Sequence, residues 1–221
     1  MTFSREWDTA YKGKQRAIWP WSDMVSYVNR YARPADGFRR VLEMGCGAGA
    51  NIPFFVQQGM DYYSIEGSPT IVARLHEAFP ELRARILVGD FTAQIPFDGP
   101  FDLVVDRASI AHNNVQSIAR TLELVFSLLR PGGKFIGIDW FSRAHSAARS
   151  GVAVDSHTRT DIPTAQFAGI GAVYFADQDH IIALLGAAGF VVERLEHKQH
   201  RVVIPTQADS PAWWNFVAAK P

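Results

Sequence analysis

Two acidic residues and three glycines in the first half of the chain are spaced as a ligand site needs them. Glu43 stands two residues before Gly45, with Gly47 and Gly49 at the next alternate positions. Glu66 follows about 20 residues beyond the glycines, where an acid can accept hydrogen bonds from two ribose hydroxyls. Alternate glycines let the chain turn sharply and approach a ligand without interference from a Cβ. The set suits a nucleotide or another nucleoside cofactor, met by backbone N–H groups and the dipole of a following helix. For chemistry on a second molecule, His112 is the best placed of the seven histidines. A neutral imidazole near pH 7 can take a proton from a hydroxyl. The competing reading makes Glu66 a solvated acid at a strand end and His112 a hydrogen-bonded structural residue.

These residues need strand ends to carry them. Val41, Leu42 and Met44 suit a buried strand, and Pro53, Phe54 and Phe55 begin an apolar helical pattern that closes near Gly59. A second strand over 62–66 delivers Glu66. Ser68 and Pro69 then read as the N-cap and first position of a helix to Phe79. A third strand over 84–88 delivers Asp90, which ordinary Gly-Asp turn chemistry would also explain. Residues 100–106, PFDLVVD, form the strongest strand pattern of the chain. In an open α/β sheet ligands lie beyond the carboxyl ends of the strands, so Asp106, Arg107, Ala108 and Ser109 should line the site. Helical spacing over 115–129 ends at Pro131, Gly132 and Gly133, a tight turn into a fifth strand that closes on Asp139 and Trp140. A helix capped by Asp177 and strands over 190–197 and 212–219 complete the chain.

Gly45, Gly47 and Ala50 also satisfy G-x-G-x-x-G/A, the dinucleotide pattern. Three features favour another family. They are Glu43 with the third glycine, the tract LLRPGGKFIGID, and an ending of two strands after the fifth unit. In these the sequence resembles the class I S-adenosylmethionine-dependent methyltransferases, from about Val41 to the last strand. The resemblance implies a Rossmann-like α/β three-layer sandwich with a mostly parallel seven-stranded sheet whose last strand is antiparallel. It implies S-adenosylmethionine as cofactor and S-adenosylhomocysteine as product. Glu43, Gly45 and Gly47 would hold the cofactor's amino-acid end, Glu66 the ribose, and Asp90 with Phe91 the adenine. Cys46, Gly67 and Asp106 complete the expected cofactor contacts. His112 or Asp106 would act as base if the acceptor is a hydroxyl. Residues 106–109 read DRAS and lack the N/D-P-P-Y/F motif of amino-methylating enzymes, which weighs against a nucleobase or glutamine substrate.

Two further segments belong to this expectation. The stretch 1–38 is rich in aromatics, which either pack on the sheet or form a lid, with Tyr11, Trp19 and Trp21 as lid candidates. Ser22 is the expected N-cap of a helix spaced by Met24, Val25, Val28 and Tyr31. Residues 142–175 form an insertion too long for an ordinary connector, hence a lid or binding loop in which His157 is a candidate substrate contact. Arg107, Asp139 and Trp140 join it on the substrate side. Asp106 and Asp139 could meet a divalent cation, but two carboxylates alone do not make such a site, so no metal is expected.

Composition bounds the partners. The 221 residues suit one domain, with 48% apolar and 20% charged residues. Lys plus Arg equals Asp plus Glu at 22 each, which argues against sequence-independent nucleic-acid binding. A single cysteine, the lack of a secretory pattern at the N-terminus and the lack of a long apolar run point to a cytoplasmic protein without a membrane span. The expected acceptor is a hydroxyl or amine of a small polar metabolite, such as a sugar or natural-product intermediate, and a homodimer is compatible with this. Protein or RNA methylation, an NAD(P)-dependent oxidoreductase and a non-catalytic scaffold of the same fold stay open as alternatives.

Overall fold

The computed structural model describes Asp8 and residues 18–164, 166–206 and 209–221. Tyr11 lies outside the described residues. Strands β1 (Arg40–Met44), β2 (Asp61–Glu66), β3 (Ile86–Val88), β4 (Phe101–Arg107), β5 (Leu129–Phe141), β9 (Val191–Gln199) and β10 (Ala212–Ala219) form one sheet. Its order is β3-β2-β1-β4-β5-β10-β9. β1 to β5 pair in parallel, while β10 runs antiparallel to both of its neighbours. This is the expected Rossmann-like sheet with its reversed last strand.

Successive residues of a strand point to opposite faces, so the central strands are apolar on both sides. Leu42 and Val104 pack in one core cluster, and their neighbours Val41, Leu103 and Val105 in the other. Helices α1 (Ser22–Tyr31), α2 (Ile52–Gln57) and α3 (Pro69–Ala78) cover the second face. Helices α4 (Val115–Leu128) and α5 (Gln178–Ala187) cover the first. Three predicted caps hold: the Ser68 hydroxyl accepts from the Ile71 N–H, Asp177 caps α5, and α2 closes into Gly59 with a left-handed φ. The cap of α1 differs, because Trp21 and not Ser22 occupies that position, without a side-chain bond to the helix. The Trp21 N–H is turned instead towards the Asn51 side chain at 3.2 Å.

Two further differences concern connections. Pro131 to Gly133 do not separate helix from strand, because Leu129 already pairs with Phe101 and the turn sits as an irregularity inside a 13-residue β5. The strand also continues one residue past Trp140 to Phe141. The insertion is built rather than irregular. β6 (Val152–Ala153), β7 (Thr158–Thr160) and β8 (Val173–Tyr174) form a small antiparallel sheet. Asp155 ties it to the core by accepting from the Val115 N–H at the start of α4. Among the described residues no helix is long and apolar enough to cross a membrane.

Candidate active site

The glycine turn is shaped by a neighbour as much as by a ligand. Gly45 has φ 64°, and a Cβ on it would stand 2.2 Å from the Ser109 Oγ, which donates to the Gly45 carbonyl at 3.0 Å. A side chain here would suffer both left-handed strain and collision. The acids below the turn organise it. Glu66 accepts from the Gly47 N–H through Oε2 and from the Ser68 N–H through Oε1, each at 2.9 Å. Buried Glu43 accepts from Asn51 Nδ2 at 2.7 Å and from the Tyr62 hydroxyl at 2.5 Å. Burial pushes the Glu43 carboxyl above its usual range, and these two bonds pull it back. Asn51 uses its other amide atom to accept from Trp21 N–H, so one side chain joins the N-terminal segment to the acid of the glycine turn. Asp90, at the end of β3, accepts from the Thr92 N–H at 2.9 Å and from its hydroxyl at 2.6 Å.

The ends of β4 and β5 form the other half of the site. Asp106 is completely buried and accepts from the Ser109 and Ile110 N–H groups and from the Trp140 indole N–H. Burial pushes its carboxyl up to about 7, against the lowering effect of these three bonds. Arg107 donates to Asp139 at 2.5 Å, and its guanidinium lies 3.6 Å from the centre of the Trp21 ring. Asp139 also meets Lys198 at 3.2 Å. Ala108 and Asp139 both take a left-handed φ, 58° and 57°, which costs a non-glycine residue roughly 1 kcal/mol. Such strain tends to gather at functional sites. His112 lies in a short 3-10 turn, with its ring edge-to-face on Phe141 at 5.4 Å. Burial lowers its pKa to about 4, and a hydrogen bond to the Ala172 backbone acts in the opposite direction.

A cavity of about 470 Å³ spans both halves. Glu43, Gly45, Cys46, Gly47, Glu66 and Gly67 line its glycine-turn side, with Asp90 and Phe91 beside them. Arg107, His112, Asp139 and Trp21 also reach it. Asp106 and Trp140 do not: they lie behind the wall, bonded to each other. Asp106 therefore supports the turn that carries Ser109 and Ile110 and has no open path to an acceptor. Trp19 is 77% exposed and away from the cavity. His157 is also away, stacked on His180 at 3.6 Å between ring centres and within 3.3 Å of Asp177. Asp106 and Asp139 do not converge on a cation, each being bonded to other protein groups. Among the described residues no group of three or more His, Cys, Asp or Glu is disposed to hold a metal ion.

Several lining residues were not singled out from the sequence: Asn51, Asn113, Phe141, Gln166, Phe167, Ile170 and Trp213. Trp213 arrives because β10 is reversed, so its first residues pair with the last of β5, Trp213 opposite Phe141.

The glycine turn, acids at the ends of β2 and β3 and an aromatic ring at Phe91 all line one cavity, while the Gly45, Gly47 and Gly49 N–H groups donate to Ile65, Glu66 and Cys46 within the protein. Comparison with known proteins agrees with this geometry, since the methyltransferase domain family matches residues 41–133. Residues 41–133 are thus similar to a methyltransferase domain. An uncharacterized methyltransferase of Mycobacterium tuberculosis is 31% identical over 106 residues, 48% of this chain and 41% of that protein. The match thus spans about two-fifths of the relative's length. A methyltransferase structure from Methanosarcina mazei superposes with a TM-score of 0.70 over 92% of this chain and 99% of that one, at 14% identity. A glycopeptide N-methyltransferase complexed with S-adenosylhomocysteine gives 0.61 over 96% and 91%, at 19% identity. This chain shares their fold.

Proposed function

We propose that the protein is an S-adenosylmethionine-dependent methyltransferase that acts on a hydroxyl or amine of a small molecule. The observation that carries this is one cavity lined by the glycine turn, Glu66 and Asp90 together with His112 and the insertion. When bound, S-adenosylmethionine supplies a methyl group on a sulfonium, which becomes a neutral thioether once the methyl has left. Gly45 and Gly47 would meet the amino-acid end, Glu66 the ribose hydroxyls, and Asp90 with Phe91 the adenine. Glu43 would act through Asn51 and Tyr62, whose groups occupy both of its oxygens. Trp21, held against Arg107, would exclude water from one side.

The remaining work is alignment, which by itself can lower a barrier substantially. His112 would orient the acceptor and accept its proton or pass it to water; burial keeps the ring neutral at pH 7 and also weakens it as a base, so its main part is orientation. Two features support a small acceptor over a protein or an RNA. The insertion roofs the far side of the cavity through Phe167 and Ile170, and positive and negative side chains balance over the chain. The test is transfer of tritiated methyl from S-adenosylmethionine to extracts of the source organism fractionated into small molecules, protein and RNA. Label in the small-molecule fraction is the expected result. Label confined to protein or RNA would overturn the acceptor class.

A further inference from the structure

The acceptor half of the cavity has a composition of its own. Its walls come from three places: Phe141 at the end of β5, Trp213 at the start of β10, and Phe167 with Ile170 from the insertion. Phe141 and Phe167 meet edge-to-face, with ring centres 4.9 Å apart at 88°. The His112 ring meets Phe141 at 5.4 Å and 69°. Phe175 closes on Phe167 from behind at 5.8 Å and 84°. Phe141, Phe167 and Ile170 are all buried, so each ring is held by several neighbours and this half of the cavity is formed in advance.

The polar groups of this half are few. His112, Asn113 and Gln166 reach the cavity, and Asn113 already donates its amide to the Ile110 carbonyl. Arg107 and Asp139 also line the cavity, at the same strand ends, and are paired with each other. A sugar brings a hydroxyl on nearly every carbon, and each one taken from water without a partner is costly. Three polar side chains cannot satisfy such a ring. A flat aromatic body needs no such partners and gains from edge-to-face and stacked contacts with the wall rings.

From these walls we infer that the acceptor is a planar aromatic molecule carrying a hydroxyl or amine, bound against the surface that Phe141, Phe167 and Trp213 present to the cavity, with its nucleophile towards His112. The inference rests on the methyltransferase reading and replaces the sugar expectation with an aromatic one. Phe167 and Trp213 are then specificity-determining residues. They act on acceptor affinity and leave the cofactor half untouched.

The test is calorimetry on the full chain saturated with S-adenosylhomocysteine. The probes are 7-hydroxycoumarin and 1-naphthol, against cyclohexanol and methyl glucoside. The planar probes should bind at least about tenfold more tightly than the other two, the size expected when aromatic contacts add to simple burial. Phe167→Leu and Trp213→Leu should each weaken the planar probes about tenfold and leave S-adenosylhomocysteine affinity within about twofold. Trp213 is half-buried at the rim, so its variant keeps the test valid if Phe167→Leu does not fold. Equal or tighter binding of methyl glucoside, or planar binding unmoved by both substitutions, would overturn the inference. Failure of S-adenosylhomocysteine itself to bind would instead remove the methyltransferase reading beneath it.

Discussion

The Trp140 indole N–H donates to the Asp106 carboxylate at 2.6 Å, across the ends of two neighbouring strands and behind the wall of the cavity. Asp106 is thereby the anchor of the 106–112 turn, which carries Ser109 against the glycine loop and His112 into the cavity. Asp106→Ala would strand three buried donors, at roughly 1–3 kcal/mol each before relaxation. Urea unfolding should show a loss of at least about 3 kcal/mol, while Trp140→Phe, which removes one donor, should cost about 1–2 kcal/mol.

Asp106 and His112 should oppose each other in the pH dependence of stability. The folded Asp106 carboxyl titrates at about 7 against an ordinary 3.8, so the folded state holds the extra proton and stability falls as pH rises through that window. The folded His112 titrates at about 4 against 6.5, so the unfolded state holds the extra proton there and stability rises with pH. The two slopes, each up to about 1.4 kcal/mol per pH unit, nearly cancel between pH 4 and 6.5. Asp106→Asn should unmask the rising slope and His112→Gln the falling one. Profiles in both variants that keep the slope of the parent chain would refute the pairing.

Catalysis should carry the same signature of His112. With an acceptor that does not titrate in the range, activity should persist well below neutrality and decline only near pH 4, where the ring protonates. A midpoint near 6.5 would mean an ordinary, solvated histidine. His112→Gln should lower kcat by roughly 10² and leave cofactor affinity unchanged.

The fold was legible where local pattern and function coincide. The glycine spacing marked the turn, and the apolar runs before Glu43, Glu66 and Asp106 marked strands that end on one side of the sheet. The acceptor half was not legible, because distant segments assemble it. Phe167 and Ile170 sit in an insertion without sustained period, and Trp213 depends on the register of a reversed strand. Trp140 and Phe141 are adjacent and pack in the same core cluster, after Asp139 whose left-handed φ interrupts the strand's alternation, and only Phe141 lines the cavity. Placing the end of β5 at Trp140 exchanged a core tryptophan for the phenylalanine that lines the site. His157 looked free in the sequence, but its stacking on His180 comes from a helix 20 residues further on, through Asp177 and its cap.

Gly45→Ala tests the closeness of the turn. The added Cβ meets the Ser109 Oγ and must also hold a left-handed φ, so a loss of roughly 2–4 kcal/mol is expected in thermal or urea unfolding. Ser109→Gly in the same chain should recover only the collision, leaving about 1 kcal/mol of backbone strain.

The Trp21–Arg107 contact should set how long the cofactor stays. Removing the ring with Trp21→Ala forfeits a cation–π contact of about 0.5–2 kcal/mol. Stopped-flow release of S-adenosylhomocysteine should accelerate by roughly 3- to 30-fold, with little change in the association rate.

We propose that the glycine turn, Glu66 and Asp90 bind an adenosyl cofactor of methyl transfer. Calorimetric titration of the full chain with S-adenosylmethionine, S-adenosylhomocysteine and NADH, repeated on Glu66→Ala, tests this. Binding of both adenosyl ligands, absence of heat with NADH, and a loss of at least about tenfold in Glu66→Ala are predicted, as for removal of a charged hydrogen-bonding partner. Binding of NADH alone, or adenosyl affinities that Glu66→Ala leaves unchanged, would contradict it.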